Sequence, residues 1–511
     1  MKYLFAFLIF FPNSLAAQKN DYTWICGHDS FSSDFRYGGT NIIFNYDSVK
    51  TYKVDRPMNT QTGFNVSMSG ADGDLLFYSN GCYIANFEND TIENGNGINP
   101  GYVHDLKCPG AGSNGYTSGF QSGIALPLPD TSGVYLMFHK RIIYLSIAPY
   151  VLTDQLLYTA VDMTQNGGKG KVTAKNVVAV ADSAMGYGNM TAVRHANGKD
   201  WWVITSGFKN NNYYLLRVTK NGVAEVKQQQ IGEPTPESAE GGEQSFFTPD
   251  GSTYIRFNVK NKLRIFDFDR ATGILSHYRK INVDFGDLQI VDGGCGISPS
   301  GRFLYISARK RVFQMDMQAA DISASQQFIA EWDGYADPIA CDFGRIYSGP
   351  DCKLYISTGN DAAVLHVIHH PEEPGLACNL EQHGLHTPTY HGGSFPNFPN
   401  YRLRALGEPF SPCKGYTVGA EEVALSPLPV VSVFPNPASE YVKIIPNRPL
   451  PARARWVLRD AYGREVRSEG VGDFENCVEA DVRGLAGGVY FWSLVSGERQ
   501  VVAGGKLVVR R

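Results

Sequence analysis

Short runs in which apolar and polar residues alternate fill most of this chain, and turns rich in Gly, Pro, Asn and Asp separate them. A period of two marks strands with one buried face. Three runs share a motif: FFTPDGSTYIRF at 246–257, GISPSGRFLYIS at 296–307 and IYSGPDCKLYIS at 346–357. In each, a tight turn leads into a strand that carries an aromatic. Tyr254, Tyr305 and Tyr355 lie 51 and 50 residues apart. A second apolar run follows each time, as KLRIFDFDRATG, RVFQMDM and AVLHVIHH. Turn, strand, gap and strand make half of a four-stranded unit. Looser copies are GADGDLLFYSNG (70–81), LPLPDTSGVYLMFHKRIIYLSI (126–147) and AVRHANGKDWWVITSG (192–207).

Six such units predict an all-β protein, a six- or seven-bladed β-propeller, over residues 18–380. A lone twisted sheet leaves a face wet, and radial packing of blades covers it. A seventh blade would join strands at 24–55 to strands after 358. A tandem of β-sandwiches is the rival, and the near-equal spacing argues against it. Residues 381–430 are rich in Pro and are expected to be an irregular closing segment and linker.

From residue 431 the strands become shorter: YVKIIP, ARWVLRDAYGREV, NCVEADVRGL, GGVYFWSLVSG and GGKLVVRR. They predict a small β-sandwich over 431–511. On pattern alone this suits a carbohydrate-binding or immunoglobulin-like module. The ordered motifs VFPNPASEYVKI, LRDAYGREV, LAGGVYFWSL and GGKLVVRR resemble the type A C-terminal sorting domain of the Bacteroidota type IX secretion system. That resemblance implies a cleavable β-sandwich that directs cargo through the outer membrane. Its implied partners are the translocon and a surface sortase, and the cargo is released or joined to an anionic lipopolysaccharide. By position, Pro435, Asn436 and Pro437 match the opening of the domain. Gly488, Val489 and Tyr490 match its Gly-x-Tyr strand, and Gly505 and Lys506 its final motif. Cys477 stands outside the motifs. DMTQNGGKGKV (162–172), MTAVRHANGKDWW (190–202) and SFPNFPNYRL (394–403) resemble propellers of the WD-repeat and YVTN-like kind found ahead of this domain, and no activity comes with that resemblance.

Composition adds the compartment. Residues 1–17, MKYLFAFLIFFPNSLAA, read as a secretory signal peptide cut after Ala16 or Ala17. The run is too short to span a bilayer, and no later run is long enough, so an integral membrane protein is not expected. A net charge of −4 gives no footprint for nucleic acid. Nine cysteines agree with an oxidising compartment. Sequence proximity suggests the pairs Cys82 with Cys108, Cys341 with Cys352, and Cys378 with Cys413. An odd count leaves at least one thiol free, with Cys26 and Cys295 the candidates.

Candidate chemistry is sparse. There is no Gly-x-Ser-x-Gly elbow, no His-Glu-x-x-His and no phosphate loop, and no catalytic residue is assigned. NGGKGKV reads as a hairpin turn. His366 and His370 share one face of a strand beside Glu372 and Glu373, a pattern that suits zinc or simply a strand end entering a polar loop. His383, His386 and His391 form a second cluster, and the metal reading strengthens if the two clusters meet. Asp90, Glu93, Asn94 and Asn96 offer oxygens for Ca²⁺ or line a solvated turn. Of Trp201 and Trp202, beside His195, one is expected in the core and the other is a candidate for stacking on sugar. Asp47-Ser48-Val49, Asp90-Thr91-Ile92 and Asp182-Ser183-Ala184 resemble the O-glycosylation pattern of exported Bacteroidota proteins. The resulting expectation is an exported scaffold, at the cell surface or outside, that binds an unknown protein or glycan and needs no cofactor. A Ca²⁺-dependent propeller hydrolase or lactonase is the alternative, and a structural adhesin is a third.

Overall fold

The computed structural model describes residues 18–511 except 45–47, 62, 110–114, 117, 147–150, 236–243, 261, 289–291, 414–430, 447–454, 461–463, 471–477 and 496–500. The expected signal peptide lies outside the described residues. Two compact units divide the chain, 1–418 and 419–511.

The first unit is a seven-bladed β-propeller. Blade 1 has three strands within 23–54. Six four-stranded blades follow, within 66–96, 123–185, 191–230, 244–281, 294–331 and 346–391. Blades 2 and 3 also touch at their outer edges, through one parallel pairing of Lys171 with Glu93. Innermost strands of successive blades pack side by side around a channel. At two places the inner strands pass so close to a large neighbour that only glycine fits. A side chain at Gly296 would stand 2.5 Å from Ile346, and one at Gly123 would stand 2.6 Å from Phe64.

Apolar side chains fill the gaps between blades. Val193, Trp202 and Ile204 of blade 4 meet Tyr254 and Phe266 of blade 5. Ile255, Phe257 and Ile265 of blade 5 meet Cys295, Leu304 and Ile306 of blade 6. The repeated aromatics Tyr254, Tyr305 and Tyr355 are all buried. Trp201 and Trp202 are both buried too, one on each face of their strand. Their indole N–H groups donate to Pro127 O and Arg270 O. Neither tryptophan is therefore free to stack on a sugar.

Blade 1 is built differently. Its first strand, Thr23–Gly27, leaves Asn20, which donates to Ser69 O at the end of blade 2's first strand, and ends at Gly27, whose carbonyl accepts from Thr60 N. That is the direction of a second strand. The missing innermost place is taken by the segment after His391. Tyr347 Oη donates to Gly393 O, and Asn65 Nδ2 bridges Ile25 O and Ser394 O at 2.9 Å each. Phe395 and Phe398 pack against Trp24. Asn397 Nδ2 then donates to Met190 O at 2.7 Å, and Tyr401 Oη to Ala125 O at 2.8 Å. Arg402 grips Asp21 with two bonds of 2.9 and 2.6 Å, both side chains being buried.

Two expectations change. Residues 381–391 are not irregular, because Leu380–His391 is the outer strand of blade 7. An outer strand tolerates Pro388, and shifts of register absorb its broken alternation. The disulfides are Cys82–Cys108, as expected, and Cys352–Cys413. Cys341 and Cys378 are free and buried, as are Cys26 and Cys295. Proximity along the chain misleads here. Cys352 sits in a turn on which the returning segment lands, while Cys341 lies where the chain enters blade 7 and faces Ile339 O.

The second unit is a β-sandwich. Strands Val431–Phe434, Tyr441–Pro446 and Val478–Asp481 form one sheet. Glu465–Gly470, Arg455–Arg459, Gly488–Val495 and Val501–Val509 form the other, in that order. Val442, Trp456, Leu458, Tyr490, Trp492 and Leu507 lie in its core.

Cys352–Cys413 ties the returning segment across a separation of 61 residues. Closing such a loop stabilises by about 4 kcal/mol on chain entropy. Cys413→Ser should therefore lower the urea midpoint of the propeller under non-reducing conditions. An unchanged midpoint would show that the segment's other contacts hold it alone.

Candidate functional site

The two ends of the channel differ. At one end lie the tight turns between the first and second strands of each blade. The returning segment covers them: Asn400 donates to Pro249 O, Leu403 packs beside Val193, Leu406 N donates to Ala196 O, and Cys413 is bonded to Cys352. At the other end lie the longer loops between blades.

Inside the channel is a cavity of about 150 Å³. Phe246, Ile297 and Ile346 of blades 5 to 7 wall it on one side and Phe398 on the other. Three polar groups of the wall are engaged within the fold. Gln121 exchanges two bonds with the backbone of Ser245, at 2.8 and 2.7 Å. Gln244 accepts from Cys295 N and donates to Ile346 O. Asp21 is held by Arg402. The cavity thus offers an apolar surface on which Gln121, Gln244 and Asp21 are already bonded within the fold.

The loop-rich end carries exposed apolar side chains. Phe31 is 58% and Phe35 78% exposed in the loop at 28–38, and Tyr102, Leu106, Tyr335 and Ile339 are exposed on neighbouring loops. The loop at 28–38 is held firmly. Asp29 Oδ1 accepts from Phe31 N, Ser32 Oγ from Asp34 N, and Asp34 pairs with Arg36 at 2.6 Å. Lys53 Nζ donates to Phe35 O at 2.9 Å, and Arg36 O accepts from Tyr390 N at 2.8 Å. Beside it His28 Nε2 meets Asp361 Oδ1 at 3.0 Å. No pattern of period two or 3.6 marks such a loop. Two phenylalanines among Ser, Asp and Gly were its only trace in the sequence.

The histidine clusters meet only in part. His366 and His383 stand 5.2 Å apart, and His366 Nδ1 accepts from His383 N. His370 is elsewhere, at the strand end, where its N–H donates to Cys378 O. Among the described residues, no group of three His, Cys, Asp or Glu is arranged to hold a metal ion. Glu93 pairs with Lys171 at 2.7 Å, Asn94 accepts from Lys175, and Asp90 sits in a turn capped by Asn86. Of the three glycosylation-like tripeptides, Asp47 lies outside the described residues and Thr91 is exposed.

Burial lowers three imidazoles well below the usual 6.5: His139 to about 3, His366 to about 4 and His391 to about 4. All three are neutral in the fold, and an unfolded chain takes up protons below about pH 6.5. Their contribution to stability is therefore complete above that pH and is lost as pH falls through about 4. Urea midpoints should drop between pH 7 and pH 4.5, and His391→Gln should flatten part of that slope. Equal midpoints at both pH values would contradict the assignment.

In the second unit, the motif residues explain one another. Asn436 Nδ2 donates to Lys506 O at 2.8 Å, and its Oδ1 accepts from Val508 N at 2.9 Å. Ala438 continues this grip on the final strand through Val508 O and Arg510 N. Pro435 and Pro437 flank the clamp. Gly505 faces Trp492 so closely that a Cβ would stand 2.9 Å from the indole. Tyr490 buries its ring and donates to Ala486 O, and Gly488 opens the same strand. Cys477 lies outside the described residues. Asn436→Ala removes both bonds, about 1–2 kcal/mol together at an exposed site. It should speed proteolysis of the second unit in the full chain and leave the first unit's unfolding unchanged. Equal cleavage rates would sink the clamp.

Fold and sites together define an exported β-propeller that carries its address at the C-terminus. Residues 432–510 match the family of the secretion system C-terminal sorting domain, which makes the chain a cargo of the type IX secretion system, delivered to the cell surface or outside. Among the described residues no helix is long and apolar enough to cross a membrane. No curated protein matches the chain. Several solved structures resemble it. A protein from Lactobacillus plantarum is 13% identical and covers 73% of this chain and 99% of its own, with a TM-score of 0.42. PorZ, an essential bacterial surface component of the type-IX secretion system of Porphyromonas gingivalis, is 11% identical and covers 93% of this chain and 69% of its own, with a TM-score of 0.30. A gluconolactonase from Xanthomonas campestris is 11% identical and covers 67% of this chain and 94% of its own, with a TM-score of 0.30.

Proposed function

We propose that the propeller is an extracellular binding module that takes a protein or glycan ligand at its loop-rich end. One observation carries this reading: Phe31 and Phe35 are held out to solvent by a loop whose backbone is pinned at several points. Aromatic side chains on a rigid loop lose little entropy on binding and bring large apolar area. The opposite end is occupied by the chain's own returning segment. A hydrolase would need acidic, amide or imidazole groups free to converge on the channel, and Gln121, Gln244 and Asp21 of the cavity wall are bonded within the fold. That favours binding over turnover.

The test is binding of the purified full chain to an array of bacterial and host glycans and to whole bacterial cells. Phe31→Ser with Phe35→Ser should weaken retention at least tenfold without moving the thermal midpoint. Retention equal to wild type would remove this loop from the ligand site.

A further inference from the structure

We infer that the outer face of the four-stranded sheet in the second unit is a docking surface, and that it fits a protein face with an apolar centre and a carboxylate rim. The strand Gly488–Val495 lies inside that sheet, not at its edge. Its inward residues Tyr490, Trp492 and Leu494 are buried, as a sandwich requires. Its outward residues do not follow the usual polar alternation. Phe491 is 52% and Val489 40% exposed.

The neighbours of Phe491 supply charge. In register it stands between Arg459 on one side and Lys506 on the other. Val489 stands beside Val508. Arg459 Nη1 donates to Ser493 Oγ at 3.0 Å, which keeps its guanidinium over this face. Lys506 is exposed, and among the described residues its side chain makes no hydrogen bond or ion pair. Its backbone carbonyl serves the Asn436 clamp, so the fold needs the strand at 506 and not the ammonium.

The charge of the whole unit points the same way. Residues 431–511 hold 12 Lys and Arg against 9 Asp and Glu, a net of +3. The whole chain is −4, which leaves the first 430 residues at −7. An aromatic centre within a cationic rim is complementary to an apolar patch ringed by carboxylates. The cations speed and orient the encounter, and the aromatic holds the complex.

The test uses the full chain in a type IX-competent host, with exported and periplasmic fractions measured by immunoblot. Phe491→Thr with Val489→Thr places β-branched residues, which suit a strand, at both positions and removes the apolar centre. Arg459→Glu with Lys506→Glu reverses the rim. Each pair should cut the exported fraction at least tenfold and leave full-length protein in the periplasm, with the sandwich still resistant to protease. If the first pair loosens the sandwich, the surface pair Arg459→Glu and Lys506→Glu decides. Wild-type export by the rim variant overturns the proposal. A photo-crosslinking residue at 491 tests the class of partner. Crosslinks to a different, acidic protein support the inference. Crosslinks only to a second copy of this chain, or only to lipopolysaccharide, overturn it.

Discussion

Closure of the ring is the constraint on which the propeller depends. Seven twisted sheets bury their faces only if the last meets the first, and open edges invite mispairing. Here the N-terminus supplies three strands and the stretch after His391 supplies the innermost course of the same blade. Closure is therefore made by side chains reaching across the whole chain. Asn65 joins Ile25 to Ser394, and Arg402 joins Asp21. The Arg402–Asp21 pair is buried with partners on both sides, and removing either member would leave an uncompensated charge in the interior.

The same closure decides where function is placed. After threading the channel, the segment spreads over the turn end and is fastened by Cys413. Its backbone and side chains take up Pro249 O and Ala196 O of those turns. The loop-rich end is left with surplus: exposed aromatics, the His28–Asp361 pair, and loops long enough to vary. The two ends differ because one carries the chain's own closing segment.

Much of this was legible, and the exceptions have a physical cause. The motif of turn, strand and aromatic at Tyr254, Tyr305 and Tyr355 revealed the blades because each must solve the same packing problem. Blade 1 was blurred because its innermost course carries Pro396 and Pro399 and makes no ladder. Cys352–Cys413 was mispaired because local spacing says nothing about where a returning segment lands. Trp201 and Trp202 looked functional because adjacent residues on a strand face opposite ways, yet in a propeller both faces are core. Leu380–His391 was hidden by Pro388 and by alternation that breaks at its bulges.

The second unit shows the reverse case, in which motif residues that look like a signal turn out to be mostly architecture. Asn436 clamps the final strand, Gly505 makes room for Trp492, and Tyr490 fills the core. Their spacing of up to some seventy residues follows from strands that meet at opposite ends of one sandwich. What the fold does not explain is the outward set, Val489, Phe491 and the ammonium of Lys506. A residue that the fold does not use, held rigidly by residues that it does use, is the arrangement expected of a recognition surface. The inward half of the motif makes the sandwich, and the sandwich fixes the outward half in register.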